Sequence, residues 1–352
     1  MENTMENWNV SSDGPFRNMS VTDRPSIVKK NLQFLLIYNE HNALLGGTNM
    51  VDIYWTGTLW HYNDILDFTR EKADITQQTD SGVCNAVYLT QNKFVVVEDS
   101  GIVEILEIIQ ASDQKPQFYS LERTCQHDDS VLTVSKFSNE RNIVTGGMDC
   151  CLKVWDVEDL IATYSYSFAH TDVITSTDVK AMSTSVFVST SLDGESLLWD
   201  VRRAKPAHCI FKKDDCQLTA VAWNSISDHL VAVGAADGSI TLIDIRQTDD
   251  VLCESVECDR GIHKLLFNPD PEKKDELACC SDDTSVKVFD SYKEMLPIFE
   301  DSSHSDFVRG LAWHKDGLFS CSWDGTVIKH VILSSNDNIR TGPSQFKIKI
   351  HK

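Results

Sequence analysis

The sequence predicts an all-β protein, a seven-bladed β-propeller. Three observations lead to this fold: a hairpin pattern recurs along the chain, its copies are evenly spaced, and very few segments have helical periodicity. The clearest copy, NIVTGGMDCCLKVWD, runs from Asn142 to Asp156. It places Gly and Asp turn residues between two runs of β-branched, apolar and aromatic residues, which is the pattern of a β-hairpin.

The spacing of the copies fixes the number of blades. Each copy is located by the residue that ends its second strand, and the steps between these residues are 46, 49, 44, 44, 46 and 41. Four-stranded propeller blades recur about every 40–45 residues, so seven units fill the chain from about residue 31 to 334. The marker residues are Trp60, Leu106, Trp155, Trp199, Ile243, Phe289 and, by position only, His330.

This spacing divides the chain into a flexible polar tail over residues 1–26, a propeller over residues 27–334 and a C-terminal tail over residues 335–352. The seventh unit lacks an obvious fourth strand after Ile332. Either the segment from Pro25 to Lys29 or the segment from Phe346 to Ile350 must supply it. We favour the N-terminal segment, because it would close the ring and leave only short, protected strand edges.

The composition of the chain makes some classes of function less favoured than others. With 32 basic and 53 acidic residues the net charge is -21, which disfavours direct binding to nucleic acid and favours Arg- and Lys-rich partners. The alternative is that the charge is that of an ordinary acidic protein. The N-terminus lacks a secretory signal, and no apolar run reaches the length of a membrane span. We therefore expect a location in the cytoplasm and nucleus, away from membranes.

The eleven cysteines are an odd number and include two adjacent pairs, Cys150 with Cys151 and Cys279 with Cys280. Neighbouring residues on a strand point to opposite faces, so neither pair suits a disulfide. No C-x-x-C motif and no His cluster with zinc spacing occurs. We expect reduced thiols, no metal and no cofactor.

Two units carry one polar set at matched spacing. In each, an Asp follows a hydroxyl residue by four positions and precedes a Trp by six. This resembles the hydrogen-bonded tetrad of WD-repeat proteins, which joins a loop His, a turn Asp, a strand hydroxyl and an indole N–H inside one blade. The sets are His127, Thr145, Asp149 and Trp155 in the third unit, and His170, Ser189, Asp193 and Trp199 in the fourth.

The seventh unit keeps His304, Ser320 and Asp324 but has His330 where Trp would stand. Ser, His and Asp together could suggest catalysis. The structural interpretation is favoured, because several near-copies of one set recur where the fold requires them. The sequence also lacks a nucleophile elbow, a phosphate loop and a dinucleotide fingerprint. It therefore predicts no catalytic residue and a protein that is not an enzyme.

Longer stretches resemble the methylosome WD-repeat subunit, the partner of the type II protein arginine methyltransferase that makes symmetric dimethylarginine. They are WTGTLWHYND from Trp55, QHDDSVLTVSKF from Gln126, and HSDFVRGLAW with SWDGTVIKHV between His304 and Val331. The resemblance covers about Leu44 to Val331 and neither terminus. It implies a non-catalytic adaptor that binds the enzyme's N-terminal barrel domain in a complex of four adaptors and four enzymes. It also implies help in presenting Arg-rich tails of core histones and Sm proteins.

The resemblance implies particular contacts as well. In the family, a Trp in a long loop of the first blade inserts into the enzyme, and Trp55, beside Tyr54, matches it. An aromatic residue in the loop before the seventh blade receives an Arg from the enzyme. Phe307 matches it, flanked by Asp306 and, two residues on, Arg309. Exposed aromatic residues suit such anchoring. Alternatively, Trp55 folds back on its own blade and Phe307 merely opens a strand.

Other classes of function compete with this one. Trp199–Arg202 and Ile243–Arg246 resemble the W-D-x-R box by which many WD-repeat proteins join cullin-type ubiquitin ligases as substrate receptors. A scaffold without a fixed enzyme partner is a second alternative. An enzyme is a third, but it lacks a polar constellation that is not repeated.

Overall fold

The protein is a closed ring of seven four-stranded antiparallel sheets, so the prediction of a seven-bladed propeller is confirmed. The structure, a computed structural model, describes residues 31–39, 41–51, 54–65, 68, 73–110, 115–203, 208–332 and 347–348, with the backbone alone at 50, 51, 54, 347 and 348. The predicted N-terminal tail lies outside the described residues. Within every sheet the four strands follow chain order.

The first four blades begin at Leu32 and end at Lys212. Blade 1 has β1 (Leu32–Ile37), β2 (Ala43–Val51), β3 (Tyr54–Tyr62) and β4 (Ile75–Gln78). Blade 2 has β5 (Val83–Tyr88), β6 (Lys93–Glu98), β7 (Ile102–Ile109) and β8 (Gln117–Cys125). Blade 3 has β9 (Val131–Lys136), β10 (Asn142–Gly147), β11 (Leu152–Asp156) and β12 (Ile161–Tyr166). Blade 4 has β13 (Ile174–Val179), β14 (Val186–Ser191), β15 (Glu195–Asp200) and β16 (His208–Lys212).

The last three blades follow in the same way. Blade 5 has β17 (Leu218–Trp223), β18 (Leu230–Ala235), β19 (Ser239–Asp244) and β20 (Cys253–Val256). Blade 6 has β21 (Ile262–Phe267), β22 (Glu276–Ser281), β23 (Val286–Asp290) and β24 (Leu296–Asp301). Blade 7 has β25 (Val308–His314), β26 (Gly317–Ser322), β27 (Val327–His330) and β28 (Lys347–Ile348). Short 3-10 helices occupy Pro271–Lys273 and Ser291–Lys293, and no helix among the described residues could cross a membrane.

The residues of each strand reflect how deeply that strand is buried within its blade. Adjacent blades cover both faces of the second strands, so a strand such as β18 (LVAVGA) is buried at five of its six residues. The outermost strands face solvent and are more polar, as in β12 (IATYSY). Because side chains alternate along a strand, Cys279 and Cys280 of β22 point to opposite faces of the sheet, and each belongs to a different apolar cluster. All eleven cysteines are free thiols.

The antiparallel order of the strands defines two faces of the ring. The loop that leads into each first strand and the turn between each second and third strand lie on one face, which we call the top face. The opposite loops form the bottom face. The first strands are innermost, where those of neighbouring blades contact one another around a central channel, including β1 with β25.

Every innermost strand has a β-bulge at its second residue. The bulge residue has no partner on the second strand, whereas the residues before and after it pair. Bulges redirect side chains and often mark functional positions. The seven residues form what we call the bulge ring: Gln33, Cys84, Leu132, Thr175, Thr219, His263 and Arg309.

The ring closes where blade 7 meets blade 1. A Cβ at Gly310 would lie 2.8 Å from the backbone N of Leu35 and 2.5 Å from the Sγ of Cys321, so only glycine allows β25 to approach β1 this closely. The fourth strand of blade 7 is β28, which pairs with Val327 and Ile328 of β27. Our preference for the N-terminal segment as this strand was therefore wrong. A pair of residues near the C-terminus takes the position, whereas residues 25–29 lie outside the described residues.

Candidate partner-binding surface

The predicted tetrads of blades 3 and 4 are assembled as hydrogen-bonded chains. The Nδ1 of His170 lies 3.0 Å from the Oδ2 of Asp193, and its Nε2 lies 2.7 Å from the Oγ of Ser189. The indole N–H of Trp199 donates to the same Oγ at 2.8 Å. Because an indole can only donate, the Ser189 hydroxyl donates to His170, which leaves the Nδ1 hydrogen for the carboxylate. Each of these bonds therefore has one donor and one acceptor.

The tetrad of blade 3 repeats this geometry. The His127 ring is 2.7 Å from Asp149 and 2.8 Å from Thr145, and the Trp155 indole donates to Thr145 at 2.8 Å. The His, Thr and Trp side chains are buried. Buried polar chains of this kind stabilise a fold only when all their members are bonded, so these residues support the blade and are not arranged around a substrate cavity.

In blade 7 the series of hydrogen-bonded side chains has one further member, Asp301, which the sequence did not indicate. His304 contacts Asp324 and Ser320, Ser320 contacts the Nε2 of His330 at 2.7 Å, and the Nδ1 of His330 is 3.2 Å from Asp301. Burial lowers the pKa of His330 and outweighs the opposite effect of Asp301.

Blade 5 replaces the histidine by a lysine. The ammonium of Lys213 lies 2.8 Å from Asp237, 2.8 Å from Glu254 and 2.6 Å from the Oγ of Ser239. The position of Asp237 in a turn suggested that it could belong to a polar network. Nothing in the sequence indicated that Lys213 would be its partner. Among the described residues, no group of three His, Cys, Asp or Glu side chains is placed to hold a metal ion.

The tetrad geometry gives a pH-dependent prediction. Burial raises the pKa of Asp193, but hydrogen bonds, first that from His170, outweigh it and lower the pKa from 3.8 to about 2. A depressed carboxyl pKa stabilises the fold above the unfolded-state pKa, and this contribution is lost as the pH falls through the folded-state pKa. We expect Asp193→Ala to lower the free energy of unfolding at pH 7 by about 1–3 kcal/mol, because His170 loses its acceptor.

Denaturant unfolding between pH 7 and pH 2 measures both effects. The wild type should lose stability between about pH 4 and pH 2, and the variant should lose less over that range. Asp249→Ala, a change in an exposed turn, is the control. Equal stability of Asp193→Ala and wild type at pH 7 would contradict the tetrad's contribution.

The hairpin that carries Trp55 projects from the top face of blade 1. The strands β2 and β3 pair from Ala43 with Tyr62 out to Val51 with Tyr54, whereas the outer strand β4 joins only from Thr58. The two-stranded end therefore extends beyond the four-stranded sheet. The sequence-based expectation of a long loop at Tyr54 and Trp55 was wrong, because regular pairing continues through both residues.

Trp55 is 49% exposed on this projecting hairpin. The side chain of Tyr54 lies outside the described residues. A two-stranded ribbon has no sheet behind it to bury an indole, so a half-exposed Trp here is free to contact another molecule.

Phe307 is half-buried in the loop before β25, on the same face. Its ring meets Trp323 edge to face at 5.4 Å. The guanidinium of Arg309 lies 5.2 Å from the Phe307 centroid and 4.7 Å from that of Trp323. Asp306 accepts a 2.8 Å hydrogen bond from the backbone N of Phe307. An arginine of this chain therefore already lies over Phe307, the ring that the resemblance offered to an arginine of a partner.

Three backbone hydrogen bonds connect the Phe307 loop with the base of the Trp55 hairpin. Trp323 donates to Phe307 at 2.9 Å, Asn31 donates to Trp323 at 3.0 Å, and Thr48 donates to Asn31 at 2.9 Å. We call the surface around these four residues the blade 7–blade 1 seam. The two predicted contact sites, far apart in sequence, lie on one continuous part of the top face.

The two W-D-x-R-like boxes lie on the bottom face, after the third strands of blades 4 and 5. The Arg202 guanidinium binds the Asp200 carboxylate at 2.5–3.1 Å, and Arg246 binds Asp244 in the same way at 2.6–3.2 Å. Both arginines are exposed to solvent.

A closed ring of seven blades with His–hydroxyl–Trp chains defines a WD-repeat β-propeller. In agreement, the family described as WD domain, G-beta repeat matches residues 119–156, and the family of the nucleolar protein 10-like N-terminal domain matches residues 211–331. The chain belongs to the family of the methylosome WD-repeat subunit. It is 30% identical over 296 residues to methylosome protein WDR77 of Xenopus laevis, which covers 83% of this chain and 86% of that protein.

Two further relatives share less of the sequence. Protein valois of Drosophila melanogaster is 27% identical over 248 residues, 65% of this chain and 67% of that protein. Eukaryotic translation initiation factor 3 subunit I of Drosophila melanogaster is 28% identical over 205 residues, 51% of this chain and 59% of that protein.

Proposed function

We propose that this protein is the non-catalytic adaptor of a type II protein arginine methyltransferase, and that the blade 7–blade 1 seam together with the Trp55 hairpin binds the enzyme's N-terminal domain. The observation that carries the proposal is the half-exposed Trp55 on a projecting hairpin that is hydrogen-bonded, through Asn31, to the Phe307 loop. Membership of the methylosome family supports the same role.

The seam suggests a division of roles among the predicted contact residues. Trp55 would insert into the enzyme, because interface energy concentrates in aromatic anchors that become fully desolvated. Phe307 would present its outer edge, with Asp306 at its side as an acceptor for a basic group. Arg309 would stiffen the Phe307 and Trp323 rings from within, since only 14% of its side chain is exposed. This departs from the expectation that Arg309 itself contacts the enzyme.

The net charge of -21 supports a second part of the role. An acidic surface raises the local concentration of Arg-rich chains and speeds their encounter. We propose that the adaptor helps to present such tails, among them those of core histones and Sm proteins, in a complex of four adaptors and four enzymes. The eleven free thiols fit the reducing cytoplasm and nucleus.

The test is purification of the tagged full-length chain from its own cells, with the bound proteins identified by mass spectrometry. We expect an arginine methyltransferase in stoichiometric amount. Recovery of a cullin adaptor in its place would overturn the proposal and favour the bottom-face boxes at Arg202 and Arg246. A double variant, Arg202→Ala with Arg246→Ala, is the matched control and should leave the methyltransferase bound.

A further inference from the structure

The top-face mouth of the central channel is a cavity of about 360 Å³. It is lined by the bulge ring and by residues that directly follow it on the innermost strands. Two of its lining side chains, Lys264 and Arg309, are cationic, and several others carry hydroxyl or amide groups. No Asp or Glu is among the described residues that line it. The protein has 53 acidic residues and a net negative charge, whereas the charged side chains that line this cavity are positive.

Lys264 stands in the channel wall without a partner. It lines both this cavity and the one at the bottom-face mouth, and no hydrogen bond or ion pair joins its ammonium to another of the described residues. Burial lowers its pKa, more than Cys280, Cys321 and Asp178 raise it. The carboxylate of Asp178 is already engaged, accepting from the backbone N of Trp223 at 2.7 Å and of Val179 at 2.8 Å. Lys264 is partly buried, and an unpaired cation that is partly withdrawn from water is stabilised when an anion joins it.

Two further donors lie beside Lys264. Arg309 donates through Nη1 to the Nδ1 of His263 at 2.7 Å and pairs with the Oδ1 of Asp282 at 3.1 Å, whereas its buried Nε has no hydrogen-bond partner. Burial, and then the cations Arg309 and Lys264, hold the pKa of His263 well below its usual range. The ring is therefore neutral. Since its Nδ1 accepts, its hydrogen is on Nε2, which has no partner among the described residues.

We propose that this mouth of the channel binds a small phosphorylated anion through Lys264, Arg309 and His263. An ammonium, a guanidinium and an imidazole N–H are the donors that phosphate oxygens prefer, and charge-assisted hydrogen bonds of this kind are short and strong. A cavity of this volume accommodates a compact ligand and not a folded partner. The site shares Arg309 with the seam, but it goes beyond the adaptor role, which needs no small molecule.

Calorimetric titration of the full-length protein tests the site, with pyrophosphate and inorganic phosphate as probes in a phosphate-free buffer. Citrate at matched ionic strength shows whether the site prefers a phosphate to a carboxylate anion. We expect pyrophosphate to bind more tightly than citrate, and Lys264→Met to weaken its binding at least tenfold. Lys264→Arg should retain most of the affinity. Lys212→Met, a change at an exposed lysine paired with Glu195, should not alter it.

Thermal unfolding provides a second readout. Without an anion, Lys264→Met should unfold at the same temperature as the wild type or higher, because it removes an unpaired charge that is partly withdrawn from water. Added pyrophosphate should raise the unfolding temperature of the wild type and leave that of Lys264→Met unchanged, since a ligand of the native state stabilises it by mass action. Should Lys264→Met fail to fold, Lys264→Gln takes its place.

Three results would overturn the proposal: no binding of pyrophosphate at millimolar concentration, citrate binding as tightly as pyrophosphate, or equal losses in the Lys264→Met and Lys212→Met variants. Because no methyltransferase is present in these assays, failure here leaves the adaptor role untouched, and failure of the co-purification leaves this site untouched.

Discussion

Replacing Trp199 by alanine should lower the free energy of unfolding by about 3–5 kcal/mol, the cost of deleting a fully buried large side chain. Trp199 is 0% exposed. Its ring stacks on Phe187 at 5.9 Å with an interplanar angle of 6° and lies 4.9 Å from the Tyr166 ring. Its N–H also completes the tetrad through Ser189. The substitution therefore opens a cavity between blades and leaves a buried hydroxyl short of a donor.

Trp199→Phe separates the two effects. It keeps an aromatic ring in the cavity and removes only the N–H donor and part of the volume, so we expect a loss of about 1–3 kcal/mol. Urea unfolding is the measurement, and a lower midpoint with an unchanged slope shows a loss of stability without a change in the unfolded state. Equal losses for both variants would mean that the hydrogen bond outweighs the packing. A loss below about 1 kcal/mol for Trp199→Ala would contradict its place in the core.

The sequence predicted the parts of this structure that repeat. Seven hairpins at even steps could only be accommodated by seven similar blades. The tetrads of blades 3 and 4 were also visible, because a fixed spacing between Asp193 and Trp199 fixes their positions on a turn and a strand. Local rules sufficed because each of these features lies within one blade.

The parts that sequence reasoning missed depend on contacts between distant segments. Asp301 approaches His330 only because β24 and β27 belong to neighbouring blades, and no pattern joins the two residues. Arg309 looked like a free contact residue, but it pairs with Asp282 and donates a hydrogen bond to His263, both in blade 6. The hairpin at Trp55 was taken for a loop, although Tyr54, Trp55 and Thr56 are all residue types that favour strands.

The fourth strand of blade 7 shows a further limit of prediction from the sequence. Two segments of the chain could have supplied a fourth strand to blade 7, and both contain β-branched residues that favour strands. The choice between them depends on the energy of ring closure, which a sequence pattern does not contain. The bulge ring was likewise invisible, because a bulge changes pairing and not composition.

Replacing Trp55 by alanine should weaken binding of the methyltransferase by about 2 kcal/mol or more, roughly a thirtyfold loss of affinity. This prediction depends on the proposed adaptor role. An indole on a two-stranded projection gains little from its own blade, so most of its apolar area is available to a partner. For the same reason the thermal stability of the free protein should change little. An unaltered fold with weakened binding is the signature of an interface residue.

The matched control is Tyr292→Ala. Tyr292 is 83% exposed, lies in the 3-10 helix after β23 and therefore stands on the bottom face. Its loss should leave the affinity unchanged. Titration of each variant against the enzyme's N-terminal domain measures the effect. If Trp55→Ala bound as tightly as wild type, the hairpin would not be the anchor. Equal weakening by both variants would point to a general effect of lost aromatic surface. A large loss for Trp55→Ala, a smaller loss for Phe307→Ala and none for Tyr292→Ala would place the enzyme on the seam, because the hydrogen bonds through Asn31 hold Trp55 and Phe307 on one surface.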